Sequence, residues 1–197
     1  MLDSVAAANL ATDRSCIIIT GAPGAGKSTV ALLVAQALAR SALLIGDQIN
    51  RLIVSGHVWA LGEPADEAAR QVELCNRNLC ELAQNFADAG FTPVIDWIVP
   101  DNDQLDYYLQ SLAPRRVLLV VLAPGVDACR ERNRLRDPDD QFFFDGYEAL
   151  TAGMRDGFGS VGWWFDTSRL GPEETAVRII ADAPRLALIN ATEARFE

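Results

Sequence analysis

The 197-residue sequence predicts an α/β domain, a five-stranded parallel sheet with helices on both faces. Three observations carry this prediction. Short apolar, β-branched runs alternate with stretches of helical periodicity along most of the chain. The strand-like runs are apolar at nearly every position, as a sheet covered on both sides requires. Half of the residues are apolar. At this length that is enough for one buried core and short for two, so residues 1–197 read as a single domain.

The elements follow in order. Cys16–Thr20 reads as a buried strand and Lys27–Arg40 as a helix. Ala42–Ile45 is a second strand. Ala65–Ala89 has apolar residues at helical spacing (Ala69, Val72, Leu79, Leu82, Phe86) and stops at Gly90. Pro93–Ile98 is a third strand, Asp101–Leu112 a helix and Arg116–Leu122 a fourth strand. Val126–Leu135 and Gly146–Phe158 read as helices, and Gly162–Phe165 as a short fifth strand. Pro172–Ala183 is the last helix, with Pro and two acids in its first turn, where fixed φ and the positive helix end favour them. Residues 1–14 read as an extension, 136–145 as a candidate lid and 184–197 as a tail.

Composition narrows the function classes. The net charge is −10 and the pI about 4.6. A chain that grips polyanions usually shows a basic face, so nucleic acid is a disfavoured partner. The longest apolar run, Val117–Ala123, is too short to span a membrane. No export signal is read in the first fifteen residues, and the expectation is a cytoplasmic chain. The four cysteines lack metal-ligand spacing and read as reduced, semi-buried apolar residues.

The sequence has sixteen arginines and one lysine, Lys27, and that lysine stands in "GAPGAGKS". The nine residues Gly21, Ala22, Pro23, Gly24, Ala25, Gly26, Lys27, Ser28 and Thr29 fit the phosphate-loop pattern, with a predicted strand before and a predicted helix after. Its glycines let successive N–H groups turn inward toward phosphate oxygens, and the helix adds its positive end. Ser28 offers a hydroxyl to Mg²⁺ and Thr29 a polar contact to phosphate. A compact ammonium on a flexible stem can follow the β- and γ-phosphates, which a rigid guanidinium fork does less well. ATP and Mg²⁺ are therefore the expected cofactors.

Three further stretches say what the phosphate could be given to. Asp47 follows the second strand and is placed either to take a proton from an attacking hydroxyl or to cap the next helix. Asp96 ends the third strand, placed to hold Mg²⁺ directly or through water, or to accept a hydrogen bond from Ser28. Trp97 and Trp59 are candidates for an apolar substrate wall or for packing. Arg51 could pair with an anionic substrate or lie in a surface ion pair, and His57 could line the acceptor pocket but reads rather as a loop residue. In "CRERNRLRDPDD", Arg132 and Arg136 share one helix face and Arg130 and Arg134 another. Such a run is ordinarily a solvated charged face, but ahead of a helix-ending loop, cations at Arg132 and Arg136 also suit a lid that neutralises the transferring group and excludes water.

With Gly21–Thr29, Asp47, Asp96 and "ERNRLR" in place, residues from about Cys16 to Ala183 resemble the small P-loop kinases. These include gluconate and shikimate kinases, chloramphenicol phosphotransferase and the kinase domain of polynucleotide kinases. The resemblance implies the P-loop NTPase fold with strand order 2-3-1-4-5. It implies Asp47 as general base and Arg132 and Arg136 as lid arginines. It places the adenine site near "DTSRLGPEE", Asp166–Glu174. The expected partner is a small-molecule hydroxyl acceptor such as an antibiotic, a sugar or a nucleoside, acted on by a monomer or homodimer. The segment "GHVWALGEPADEAARQ" matches no substrate motif. The alternatives are a polynucleotide or nucleotide kinase and an ATP-binding switch.

Overall fold

A computed structural model describes residues 15–138, 141 and 143–189. Strand β1 (Cys16–Thr20) is buried along its whole length. Its side chains alternate between two cores. Ile17 and Ile19 point into a layer shared with α1 (Lys27–Ala37) and α7 (Pro172–Leu186). Cys16 and Ile18 point into one shared with α3 (Ala65–Asp88), α4 (Asn102–Leu112) and α6 (Tyr147–Phe158). Each fully buried isoleucine contributes about 1.5–3 kcal/mol relative to exposure. Apolar residues at every strand position are thus used on both faces.

The remaining strands are β2 (Ser41–Ile45), β3 (Thr92–Asp96), β4 (Val117–Leu122), β5 (Trp163–Phe165) and β6 (Leu188–Ile189). The five parallel strands run in the order β2-β3-β1-β4-β5. That order brings the carboxyl ends of β2 and β3 to one side of the loop after β1 and those of β4 and β5 to the other. Register pairs Ile19 with both Asp96 and Val120, so Asp96 ends its strand level with the last turn before the phosphate loop.

Several boundaries differ from the sequence expectation. Helix α1 ends at Ala37 instead of Arg40, because Ser41 Oγ donates to the Ala35 carbonyl at 2.6 Å and the chain turns into β2. The last helix continues past Ala183 to Leu186, through Pro184. A sixth strand, β6, pairs antiparallel with the start of β4, so part of the segment read as a tail belongs to the sheet. Two short helices flank the strand ends, α2 (Gly46–Asn50) and α5 (Val126–Arg134). The extension 1–14, part of the candidate lid and residues 190–197 lie outside the described residues.

Candidate active site

The loop between β1 and α1 is shaped by close approach. Gly21 has φ +139°, and a side chain there would meet the Leu122 carbonyl oxygen at 2.5 Å. Gly24 has φ +77°, and a Cβ would lie 2.4 Å from the Cys129 carbonyl oxygen. Gly26 adopts φ +100° as the residue that opens α1. L side chains avoid this region, so glycine is required where the backbone curls against β4 and α5. Ala22 and Ala25 are buried, while Ser28 and Thr29 at the head of α1 are exposed.

Lys27 reaches back over the loop and donates to the Ala22 carbonyl at 3.2 Å. Burial pushes its ammonium below the ordinary lysine range, against the opposing pull of Asp96 and Asp47. Asp96 is only 4% exposed. Its carboxyl is held above the usual carboxylate range by burial, despite a hydrogen bond from the Ser28 hydroxyl and the nearby Lys27 charge. The Asp47 charge adds to that upward push. Lys27, Ser28, Asp96 and Asp47 thus meet at the ends of β1, β2 and β3. A buried ammonium and a buried carboxyl both displaced toward their neutral forms are groups whose charges a polar ligand would stabilise.

Asp47 lies in the first turn of α2, but not at its cap. The capping residue is Ile45, with no side-chain cap bond, and Asp47 is exposed. The capping alternative is therefore not how Asp47 is used. Its direction is set by Gly46, which packs so tightly under Trp97 that a Cβ would fall 1.9 Å from the indole ring. Trp97 is half-buried against the second core and serves as that support. Arg51 ends α2 and is exposed. Trp59 is 55% exposed, in the segment between α2 and α3.

The arginine run divides differently from a simple lid. Arg130 pairs with Glu148 at 2.7 Å and Arg134 with Glu131 at 2.7 Å, both in solvent. Arg132 points inward, donating from Nη1 to the Ala25 carbonyl at 2.9 Å and from Nη2 to the Thr167 carbonyl at 3.3 Å. It ties the phosphate loop to the loop after β5. Arg136 is exposed, near enough to Lys27 to lower its pKa. In the loop after β5, Asp166 accepts from the Ser168 N–H at 2.9 Å, and Thr167 has a buried hydroxyl with no protein partner.

Sequence reasoning missed several supporting residues. Cys129 was read as simple packing, yet its main chain presses on Gly24. Gln71 stabilises the segment after α2 by accepting from the Val58 N–H at 2.8 Å and donating to the Gly56 carbonyl at 2.7 Å. His57, which the sequence does single out as a loop residue, is hydrogen-bonded to Asn50 at 3.2 Å across the same segment. Gly46, directly ahead of an acid at a strand end, was the one legible signal among these.

Among the described residues no three His, Cys, Asp or Glu side chains converge on a metal site. The donor set nonetheless fits Mg²⁺ bound together with phosphate, since that ion takes one or two protein oxygens and completes its shell with phosphate and water. The Ser28 hydroxyl and the Asp96 carboxylate, already in contact, are the residues that would hold it.

A glycine-shaped phosphate cradle at the carboxyl edge of a parallel sheet in the order 2-3-1-4-5 defines the class, a P-loop fold of the kinase type. Residues 16–159 match the model of the AAA domain family, and the chain belongs to that family. Solved structures share the fold at low identity. A sugar kinase from Janibacter sp. HTCC2649 is 19% identical, with 88% of this chain and 95% of that chain covered and a TM-score of 0.64. Shikimate kinase from Acinetobacter baumannii, solved with shikimate, gives 17%, 88%, 94% and 0.62. The Deinococcus radiodurans tunicamycin resistance protein gives 19%, 89%, 98% and 0.61. A search of the curated proteins finds no significant sequence match.

Proposed function

We propose that the chain is an ATP-dependent phosphotransferase that moves the γ-phosphoryl group to a hydroxyl of a small molecule. The observation that carries this is the convergence of Lys27, Ser28, Asp96 and Asp47 at three adjacent strand ends. The sugar and shikimate kinases that share the fold support the reaction class.

In this reading the loop amides and Lys27 hold the phosphates, and Thr29 adds a contact at the head of α1. Mg²⁺, held by Ser28 and Asp96, would neutralise charge on the phosphate oxygens. Asp47 is exposed on the acceptor side and takes the hydroxyl proton as the oxygen attacks phosphorus. Arg132 uses two of its five N–H donors on carbonyls and keeps the others for the transferring group. Arg136 adds charge from the α5 end, and Arg51 and Trp97 border the acceptor. The adenine would lie against the loop Asp166–Glu174, which Arg132 braces.

The test is transfer of label from γ-labelled ATP across a panel of antibiotics, sugars, sugar acids and nucleosides. Label in at least one acceptor, dependent on Mg²⁺, supports the proposal. Label released only as inorganic phosphate, at the same rate with every acceptor, refutes it and favours an ATP-binding switch.

A further inference from the structure

Asp47 is exposed, so the aim of its carboxylate is inherited from the main chain that carries it. That main chain is α2, five residues long and too short to hold its own shape. The proposed base is therefore fixed by whatever packs against Gly46, the buried residue ahead of it.

Two side chains do so. Register pairs Ile45 with Asp96, so Gly46 and Trp97 leave adjacent strands side by side. The indole of Trp97 lies against Gly46, with Cε3, Cδ2 and Cζ3 filling the place where a Cβ would stand. The acid that would hold the metal and the proposed base are thus each one residue from a single contact between ring and backbone. The second side chain is Cys75 of α3, whose thiol donates to the Gly46 carbonyl at 3.4 Å. Burial pushes the pKa of this thiol up to about 12, and the Asp47 charge adds to the push, so the thiol keeps the proton it donates.

Cys75 stands on a prepared platform. Gln71, one turn earlier on the same face of α3, holds the Val58 N–H and the Gly56 carbonyl beyond α2. One turn of α3 therefore grips the chain on both sides of the Asp47 helix. Asn76 anchors that turn to α4, donating to Gln104 at 3.0 Å and accepting from the Tyr108 hydroxyl at 2.9 Å. Cys75 itself is 2% exposed, so anything it does to a reaction outside the core passes through Gly46.

The two acids need such a device. The Asp47 charge helps to raise the Asp96 carboxyl, so the pair lies within electrostatic reach. Like charges at that range repel, and a spacing that keeps them together has to be imposed by the packing around them.

We propose that Cys75, together with the Trp97 ring, is a positioning residue for phosphoryl transfer: it clamps Gly46 and so sets the separation of the Asp47 and Asp96 carboxylates. The proposal rests on the phosphotransferase reading above. A hydrogen bond from a thiol is weak and adds little to stability. A reacting group misplaced by about 1 Å can lose about 10² in rate. The clamp therefore acts on turnover more than on folding.

The test uses the full chain with γ-labelled ATP, Mg²⁺ and the member of the acceptor panel above that takes most label. Cys75→Ala should lower kcat about tenfold, with KM for ATP and melting temperature nearly unchanged. Cys75→Ser, which keeps a donor at that place, should restore most of kcat. In the Asp47→Asn chain, Cys75→Ala should cost nothing further, because the group it aims is gone. A merely structural role would give the same loss in both backgrounds, and kcat would follow the melting temperature. Should Cys75→Ala fail to fold, Trp97→Phe runs the same cycle, since its smaller ring withdraws from Gly46. Wild-type kcat in Cys75→Ala, or losses that add to those of Asp47→Asn, overturns this inference and leaves the phosphotransferase reading standing. No transfer by the wild-type chain to any member of the panel overturns both.

Discussion

The phosphate loop and the segment between α2 and α3 flank the same site and are built in opposite ways. Loop residues 21–26 are locked by backbone: three glycines at positive φ, two contacts under 3 Å that forbid a side chain, and an arginine bonded to the Ala25 carbonyl. Residues 51–64 expose Leu52, Val54, Trp59 and Leu61 at 71%, 94%, 55% and 67%. Their described tethers include Gln71 and the Asn50–His57 bond. The part that handles a common phosphate chemistry is preformed. The part that would meet a particular acceptor is lightly held and offers apolar surface.

Substitutions on the two sides should therefore fail differently. The largest effect is expected for Lys27→Ala, a loss of transfer of at least about 10³-fold, because no other side chain supplies an ammonium to the phosphates. Wild-type rates in that variant would remove the cradle from the account. Asp47→Asn should lower turnover by about 10² while ATP affinity holds, as loss of a general base does. A change in melting temperature alone would reduce Asp47 to a structural acid.

Arg132→Ala should slow transfer by about tenfold and more than it weakens ATP binding, since the side chain is placed for both a brace and a charge. Equal kinetics would leave it only a brace between the two loops.

Asp96 sharpens the comparison through pH. Its folded-state pKa is raised by burial. Its contribution to stability is thus greatest in acid and declines as pH rises from the ordinary carboxylate range through the raised value. In metal-free buffer at pH 7, Asp96→Asn should melt higher than wild type, by about 2–4 °C for each 1 kcal/mol of relieved burial, while losing Mg²⁺-dependent transfer. A lower melting point across the whole pH range would contradict a buried charge held at a cost. The smallest effect is expected for Val54→Ser, within about 0.5 kcal/mol in stability. A raised acceptor KM without a stability change would assign the exposed segment to acceptor binding.

The unequal construction also decides what the sequence disclosed. Gly21, Gly24 and Gly26 are legible because only glycine tolerates their backbone, and Lys27 because it is the only lysine. The strands are legible because apolar side chains at successive positions serve two cores. Arg132 could be placed on the right helix but not aimed, since its partners are main-chain carbonyls 107 and 35 residues away in sequence. The Asp47 cap reading failed because the helix opens two residues earlier, capped at Ile45, with Gly46 under the Trp97 ring. Strand β6 was hidden because two residues carry too little periodicity.

The central claim is that one cradle presents a terminal phosphate to Asp47 with room for an alcohol between them. A crystal structure of the chain with Mg²⁺ and a non-hydrolysable ATP analogue tests it most directly. The expected result is a γ-phosphate against Lys27, the metal on Ser28 and Asp96, and an open space bordered by Asp47. A γ-phosphate turned away from Asp47, in a cleft with no space for a second molecule, would contradict it.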